Sequence, residues 1–585
     1  MRNYVGIRVF VLMCIVVLIT RAQTYNVHFS TYFGGANMDQ MRDIDVDNSG
    51  NVYITGGTES ADFPVTPGAY DTTHNGWFDV FVTKFDPDGD LIWSTFVGGP
   101  NYDRAYAIKV DNQGYIYVTG RAGPGFPVTP GAFQTQFKGY YNGIYGDQNA
   151  FIFKLNPDGS NLVWASYFGV STLIRDCDID DNGDIYVTSG YVPGLSPDTL
   201  PPSWVTNGFQ QHTQGGMDGV VAKIRSDGTQ VLWATYLGGS GDEGVEASIR
   251  IDTLNQPCIL QFTQSSDAPC SPDAYDTTHN GGWDFFVAKL SSDGSSRIFG
   301  TYLGGSQHEF TSTHNIAVDN QGNAYVLAPT QSSNYPTTSG VFQENYMGGN
   351  SDIAVSKISP DGTQLLISTF VAGNNTENGD GISVDSNGVV YFGGDTYSTN
   401  YPVTPDAYQN NNAGLQDGIL VKLRADFTDI LYSTYFGGSA DDGSRCSVLD
   451  YSGSFYYGGW TQSTDFPLSN PWQNTLAGNW DLGLAKFIPV IPVEEDIIFE
   501  NRSNFIIKGS NPAKEFLVSY ALEHRSLVRL ILYDCSGRIV HDMSEFKNSG
   551  THIAQIETDD LKAGIYFLRF ETETTSLVEK IILVK

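Results

Sequence analysis

The sequence predicts an all-β fold, and three observations carry that prediction. Gly, Tyr and Phe number 64, 33 and 34 among 585 residues, while charged residues make up only 17%. Such a balance favours short strands and turns over amphipathic helices. Turn tetrapeptides recur between apolar runs, as in Asp86-Pro87-Asp88-Gly89, Asn156-Pro157-Asp158-Gly159 and Ser359-Pro360-Asp361-Gly362. Above all, the phrase Ser30-Thr31-Tyr32-Phe33-Gly34-Gly35 returns from Ser94, Ala165, Ala234, Gly300, Ser368 and Ser433. The steps are 64, 71, 69, 66, 68 and 65 residues, making seven copies. A period of this length signals a repeat architecture.

Each copy has the same internal order. A first run ends in Asp, as in Ile44-Asp45-Val46-Asp47, and a polar turn follows at Asn48-Ser49-Gly50. The second run is β-branched and aromatic, Val52-Tyr53-Ile54-Thr55. A longer loop carries Phe63-Pro64-Val65-Thr66-Pro67, echoed at Phe126-Pro127 and Tyr401-Pro402. The third run is Val80-Phe81-Val82-Thr83-Lys84-Phe85, and the Pro-Asp-Gly turn leads into the fourth, Leu91-Ile92-Trp93-Ser94-Thr95-Phe96. In that turn Pro presets φ, Asp bonds back to the chain, and Gly takes the positive φ. Four runs joined this way make one antiparallel meander. Their interiors are apolar on nearly every position, which fits sheets covered on both faces. Seven such sheets around an axis make a seven-bladed β-propeller. The last copy has only three runs, ending at Leu482–Phe487. The missing run stands at the start, Val27–Tyr32. Residues 26–33 are therefore expected to supply the outer strand of the seventh blade and to close the ring.

The repeat, which reads Ala234-Thr235-Tyr236-Leu237-Gly238-Gly239-Ser240-Gly241-Asp242-Glu243 in its fourth copy, resembles the seven-bladed β-propeller repeat of secreted bacterial proteins. The resemblance covers roughly residues 26–487. It departs at Val170, which replaces the second Gly, and at Asn255-Gln256-Pro257-Cys258 in a turn. It implies an extracytoplasmic propeller and no established chemistry.

The two ends give an address. Arg2 and Arg8 precede an apolar core of eleven residues, Val9–Ile19, and Thr20-Arg21-Ala22 offers a small residue for cleavage between Ala22 and Gln23. Residues 1–22 thus read as a signal peptide. The propeller then spans 23–487 and a linker with Pro489, Pro492 and Glu494-Glu495-Asp496 spans 488–499. In residues 500–585 Trp disappears and short alternating strands take over. Asn511-Pro512, Asp534-Cys535-Ser536-Gly537, Ala563-Gly564-Ile565-Tyr566 and Lys580–Lys585 stand out. In order and spacing they resemble the C-terminal sorting domain of the type IX secretion system. That resemblance implies a small β-sandwich read by the outer-membrane export machinery, with Asn511, Pro512, Gly537, Gly564, Tyr566, Lys580 and Lys585 among its marks. It implies a protein secreted from, or displayed on the outer-membrane surface of, a Gram-negative bacterium.

A formal net charge of −33 argues against nucleic acid and anionic membranes as partners, since no basic stripe exists to displace counterions. Beyond the signal no stretch is long and apolar enough to cross a membrane as a helix. The five cysteines after the signal form no CxxC pair, and Cys258 and Cys270 could pair or remain separate thiols. Asp178-x-Asp180-x-Asn182-Gly183 starts like a calcium loop, but Ser189 stands where the bidentate Glu belongs, so a hairpin turn is the better reading. His74 and His279 share a phase in two copies without metal spacing. No metal or cofactor is expected.

An Asp five residues before a Lys recurs in the third run, from Asp79/Lys84 to Asp481/Lys486, with Asn149/Lys154 in the second copy. A catalytic acid is needed once or twice, so a group in every copy reads as a turn-capping scaffold device. Trp93, Trp164 and Trp233 align in the fourth run and read as core between blades. The copies differ most between their second and third runs. The second copy inserts Tyr140, Tyr141 and Tyr145; the third inserts a segment from Tyr191 to Trp204. Aromatics on such loops suit sugar stacking or protein anchoring. The expected function is a secreted or cell-surface, non-enzymatic binding propeller for polysaccharide or protein. The alternatives are a structural surface or matrix component and, less favoured, a glycan hydrolase. The Asp-Gly turns lack the intervening residue of a sialidase Asp box, and no isolated acid pair or Ser/His/Asp set stands outside the repeat.

Overall fold

The computed structural model describes residues 25–170, 173–190, 200–310, 312–490, 505–509, 515–522, 524–534, 538–557, 561, 564–572 and 576–583. The signal segment with Ala22 and Gln23, and also Tyr191, Asn511, Pro512, Gly537 and Lys585, lie outside the described residues. The chain divides into two compact units, ending at Val490 and beginning at Ile491.

In the larger unit the repeats become seven antiparallel sheets, numbered here in chain order. Sheet 1 contains Asp39–Val46, Val52–Thr58, Asp79–Phe85 and Leu91–Val97. Sheets 2 to 6 open with first strands Arg104–Val110, Ile174–Ile179, Glu243–Ile251, Ile316–Val318 and Glu377–Val384. Sheet 2 carries an extra short strand, Tyr140–Asn142, folded onto Gly146–Leu155. Sheet 7 has Asp442–Leu449, Phe455–Thr461 and Asp481–Pro489, and its fourth strand is Tyr25–Phe33, with Thr31 opposite Leu484. The first strand of sheet 1 packs beside the first strands of both sheet 2 and sheet 7.

The recurring residues explain the frame. In the turn after the third strand, Asp86 accepts the Asp88 and Asp90 amides at 2.9 and 2.8 Å, and Gly89 takes φ +90°. In sheets 1 to 4 the fourth-strand aromatic then lies on the turn glycine of the next sheet, as Trp93, Trp164, Trp233 and Phe299 do. A Cβ on Gly159 would meet Trp93 at 2.5 Å, and one on Gly228 would meet Trp164 at 2.2 Å. Phe29 of the N-terminal strand sits on Gly89 of sheet 1 in the same way. The Trp93, Trp164 and Trp233 indoles each donate to a carbonyl of the next sheet's turn, at Pro157, Ser226 and Ser292. The third-strand Asp caps its loop as expected: Asp79 accepts the Asn75 amide at 2.6 Å, and Asp481 accepts that of Ala477 at 2.7 Å. The Lys five residues later covers the second-strand Tyr, as Lys84 does over Tyr53 at 4.9 Å from the ring centroid. His74 and His279 bond the backbone carbonyls of Thr58 and Thr263. Asp180 accepts Asn182 and Asp184 amides in a hairpin turn and pairs with Lys223 at 2.9 Å. Cys177, Cys258, Cys270 and Cys446 are free thiols.

Phe33 ties the N-terminal strand to its neighbours. It is fully buried, with Phe63, Phe85 and Trp472 rings 5.1, 5.1 and 5.3 Å away. Phe33→Ala is expected to cost about 3–5 kcal/mol, read as a lowered midpoint of urea unfolding; an unchanged midpoint would show that this strand does not hold the unit together.

The smaller unit has two sheets. One joins Phe505–Gly509, Glu515–Leu522 and Gly550–Glu557; the other orders Ile539–Lys547, Ser526–Asp534, Gly564–Glu571 and Ser576–Leu583. Val518, Tyr520 and Ile556 of the first share a core with Leu530, Leu532, Tyr566 and Leu568 of the second. That is a sandwich. Tyr566 is buried, Gly564 opens its strand opposite Leu583, and Lys580 pairs in register with Phe567.

Candidate functional site

The first strands of neighbouring sheets pack beside one another, and most of them are bulged. The register with the second strand slips at Met41/Asp43, Ala105/Ala107, Ile174/Asp176, Glu243/Ala247, Gly379/Ile382 and Ser444/Cys446. The residues skipped are Arg42, Tyr106, Arg175, Gly244 to Glu246, Asp380 with Gly381, and Arg445. A bulge leaves its extra residue unpaired and re-aims its side chain. Here the re-aimed positions carry polar chemistry that differs from sheet to sheet, while the frame stays constant.

One group gathers guanidinium groups around a phenol. Arg104 donates to Tyr106 Oη at 2.5 Å, and Arg42, Arg121 and Arg175 carbons lie 5.8, 5.6 and 4.3 Å from the Tyr106 ring centroid. Arg121 also lies 3.8 Å over the Tyr145 ring, which packs on Tyr102 at 4.6 Å. Gln40 Oε1 accepts from Arg42 and Arg104 at 3.1 and 2.9 Å. Arg175 pairs with Glu246 at 2.8 Å. The Nε atoms of all four arginines are buried without a hydrogen-bond partner. Burial alone would raise the Tyr106 phenol, but Arg104, Arg175, Arg121 and Arg42 outweigh it and bring it down to about 7.

A second group is a mixed-charge network. His314, at φ +69° and fully enclosed, sets Nδ1 3.0 Å from Asp176 and Nε2 3.4 Å from Asp43. Arg250 reaches Asp176 at 2.7 Å. Residues of sheets 1, 3 and 4 thus meet at one imidazole. Asp43 and Asp176 also accept the Ile108 and Ile249 amides of adjacent sheets, at 2.8 and 3.0 Å. Burial opposes charge on His314, yet Asp43 and Asp176 hold its pKa above the ordinary histidine value. Burial would raise Asp176, but Arg250, His314 and Lys109 hold it well below the carboxylate range.

Farther out, each sheet junction but one buries two carboxyls. The pairs are Asp39 with Asp481, Asp103 with Asp79, Glu243 with Asp218, Glu309 with Asp284, Glu377 with Asp352, and Asp442 with Asp417. The first acid of a pair caps the Gly-Gly loop: Asp39 accepts the Gly35 amide at 2.7 Å and Ser60 Oγ at 3.1 Å. Asp218 Oδ1 and Glu243 Oε2 have no donor, and the same holds for Asp352 with Glu377 and Asp417 with Asp442. A Cβ on Gly238 would meet that Asp218 oxygen at 2.0 Å and the Glu243 oxygen at 2.3 Å, which explains the glycine. Between sheets 2 and 3 the third-strand acid is Asn149, and the stretch Val170-Ser171-Thr172-Leu173 carries no acid either. Burial raises the carboxyls, to about 7 for Asp39, Asp103, Glu309 and Glu377 and about 8 for Glu243.

The aromatics expected on the loops fall in different places. Tyr145 joins the arginine group. Tyr141 is 68% exposed at the hairpin tip, and Tyr140 is half-buried beside it. Trp204, on the one-turn helix Pro202–Val205, stacks inward on Phe168 at 5.5 Å and edges Phe133 at 5.7 Å. Sequence reasoning missed the first-strand residues. The signal was there: positions such as Arg42, Tyr106, Arg175, Asp380 and Arg445 change character inside otherwise matching runs.

Comparison with known proteins bears on both units. Residues 29–64, 92–126 and 298–336 match the β-propeller repeat, and residues 511–585 match the secretion system C-terminal sorting domain. The chain is therefore a protein of β-propeller repeats with a type IX sorting tail. That tail marks it for export to the cell surface or extracellular space. Among curated proteins it is 27% identical over 237 residues to regulatory protein FlaEY of Caulobacter vibrioides, covering 39% of this chain. It spans only 24% of that relative's length. Similar solved structures include a Dyadobacter fermentans protein of unknown function, at 10% identity, covering 80% and 99% of the two chains, with a TM-score of 0.36. They also include a PL25 ulvan lyase, at 9% identity, covering 78% and 94%, with a TM-score of 0.40. The phage phi92 endosialidase matches at 9% identity over 96% and 88%, with a TM-score of 0.37.

Proposed function

We propose that the seven sheets are the blades of a closed seven-bladed propeller, and that the exported protein is a non-enzymatic binding protein whose ligand is a polysaccharide or a protein. The bulged first strands carry this reading. With Arg121 and His314 beside them, they bring together a set of arginine, tyrosine, histidine and aspartate that does not repeat from sheet to sheet among the described residues. His314 contacts carboxylates and a guanidinium rather than a hydroxyl or thiol, which favours charge balance over nucleophile activation. The test is a panel of bacterial and algal polysaccharides and cell-surface proteins presented to the purified secreted chain, with products analysed in parallel. Retention of a polymer or protein without turnover is expected. Retention of nothing would overturn the binding role, and release of shortened glycans would overturn the non-enzymatic one.

A further inference from the structure

Resting on that reading of the centre as a binding site, we infer that the arginine group is an anion-recognition site for the carboxylate of an acidic polysaccharide, with Arg42 and Arg175 making the contact. Four guanidinium groups surround Tyr106, yet among the described residues the carboxylate paired with them is Glu246, on Arg175. Arg104 and Arg121 are more than nine-tenths buried, and each leaves its Nε unpartnered. Gln40, a neutral acceptor, stands where an acid would have balanced Arg42 and Arg104. In a chain of net charge −33 a basic group of this kind does not arise from composition.

The partial exposure of the set selects the contact residues. Arg42 and Arg175 are half-buried, whereas Arg104, Arg121 and Tyr106 are enclosed behind them. A planar guanidinium grips a carboxylate through two parallel N–H bonds, and water competes less where the surroundings are already dry. The rear arginines contribute field rather than contact. Tyr102 is buried, and Tyr145 packs between it and Arg121, which holds Arg121 in place behind the contact residues. A uronic acid presents its carboxylate on a rigid ring, so little conformational freedom is lost when the arginines grip it. An acidic peptide offers the charge on flexible side chains, whose ordering costs more.

The experiment measures binding of tetragalacturonate to the full secreted chain by calorimetry, beside its methyl-esterified form and a poly-aspartate peptide. Tetragalacturonate is expected to bind with an affinity that falls as salt rises. Arg42→Gln and Arg175→Gln are each expected to weaken it by roughly tenfold to a hundredfold. Arg42→Gln removes like-charge repulsion, so its melting temperature should hold or rise, which separates lost binding from lost folding. The Tyr106 phenolate gives a second reading: its near-ultraviolet titration should move upward when the sugar binds, and Tyr106→Phe should abolish that signal. Absence of tetragalacturonate binding, binding equal in the variants, or preference for the ester or the peptide would overturn the assignment. If the ester or another neutral glycan is retained, the binding role stands and only the anion assignment falls.

Discussion

The melting temperature of the secreted protein is expected to fall by about 5–10 °C between about pH 5 and about pH 8. The carboxyl pairs at the sheet junctions set the sign. Burial holds Asp39, Asp103, Glu309 and Glu377 near pKa 7 and Glu243 near 8, far above the unfolded values. A carboxyl raised in the folded state keeps its proton there when the unfolded chain has lost it. Folding is therefore favoured below the unfolded pKa, and that advantage disappears as pH rises through the folded one. His314, also raised, acts in the same direction. Asp176 acts oppositely, but it titrates below the range scanned. Scanning fluorimetry across that range checks the slope. Glu243→Gln should raise the melting temperature at the alkaline end and leave the acid end unchanged, because its amide can donate to the Asp218 oxygen that has no donor. The junction between sheets 2 and 3 already uses this solution: Asn149 accepts the Lys138 amide at 2.9 Å and donates to the Phe168 carbonyl at 3.1 Å. A flat or rising melting temperature would refute the account of the pairs as carboxyls that burial keeps protonated.

Asp176→Ala is expected to lower stability by about 3–5 kcal/mol, the effect of removing one member of a buried charge network. It strips Arg250 of its 2.7 Å partner, His314 of its 3.0 Å partner, and the Ile249 amide of its acceptor. Arg250 and His314 then face each other as like charges at 3.5 Å. Urea unfolding at neutral pH measures the loss. Asp227→Ala serves as the contrast: that carboxylate caps an exposed turn through Thr229, so its removal should cost about 1 kcal/mol or less. Equal losses in the two variants would show that the central network adds nothing beyond a turn cap.

The scaffold was legible because its parts are local and repeated. The Pro-Asp-Gly turns, the capping Asp of the third strand and the stacked Trp93, Trp164 and Trp233 are each defined within a few residues, and copies confirm one another. The centre was not legible for the opposite reason. A bulge is a slip in pairing between two strands, and its one sign in the sequence is a change of residue character at a single position, as at Arg42 between Met41 and Asp43, which is easily lost in copies that otherwise match. The partner acids of the third-strand Asp were hidden too. Asp39 and Asp481 lie at opposite ends of the repeat array, and the partner is Asp in some copies and Glu in others. Insert length drew attention to Tyr145 and Trp204 alike. Only the fold shows that the first turns to the arginines and the second onto Phe133 and Phe168 of sheet 2.

The N-terminal strand bonds to residues that follow it by 442 positions, as Asn470 does with the His28 carbonyl and Gln473 with Thr31. Nearly the whole array must emerge before that seam can be stitched. Until then Asp481–Pro489 offers an unpaired margin to any passing strand, and Tyr25–Phe33 waits without a mate. A chain built this way finishes late, by a step of very high contact order.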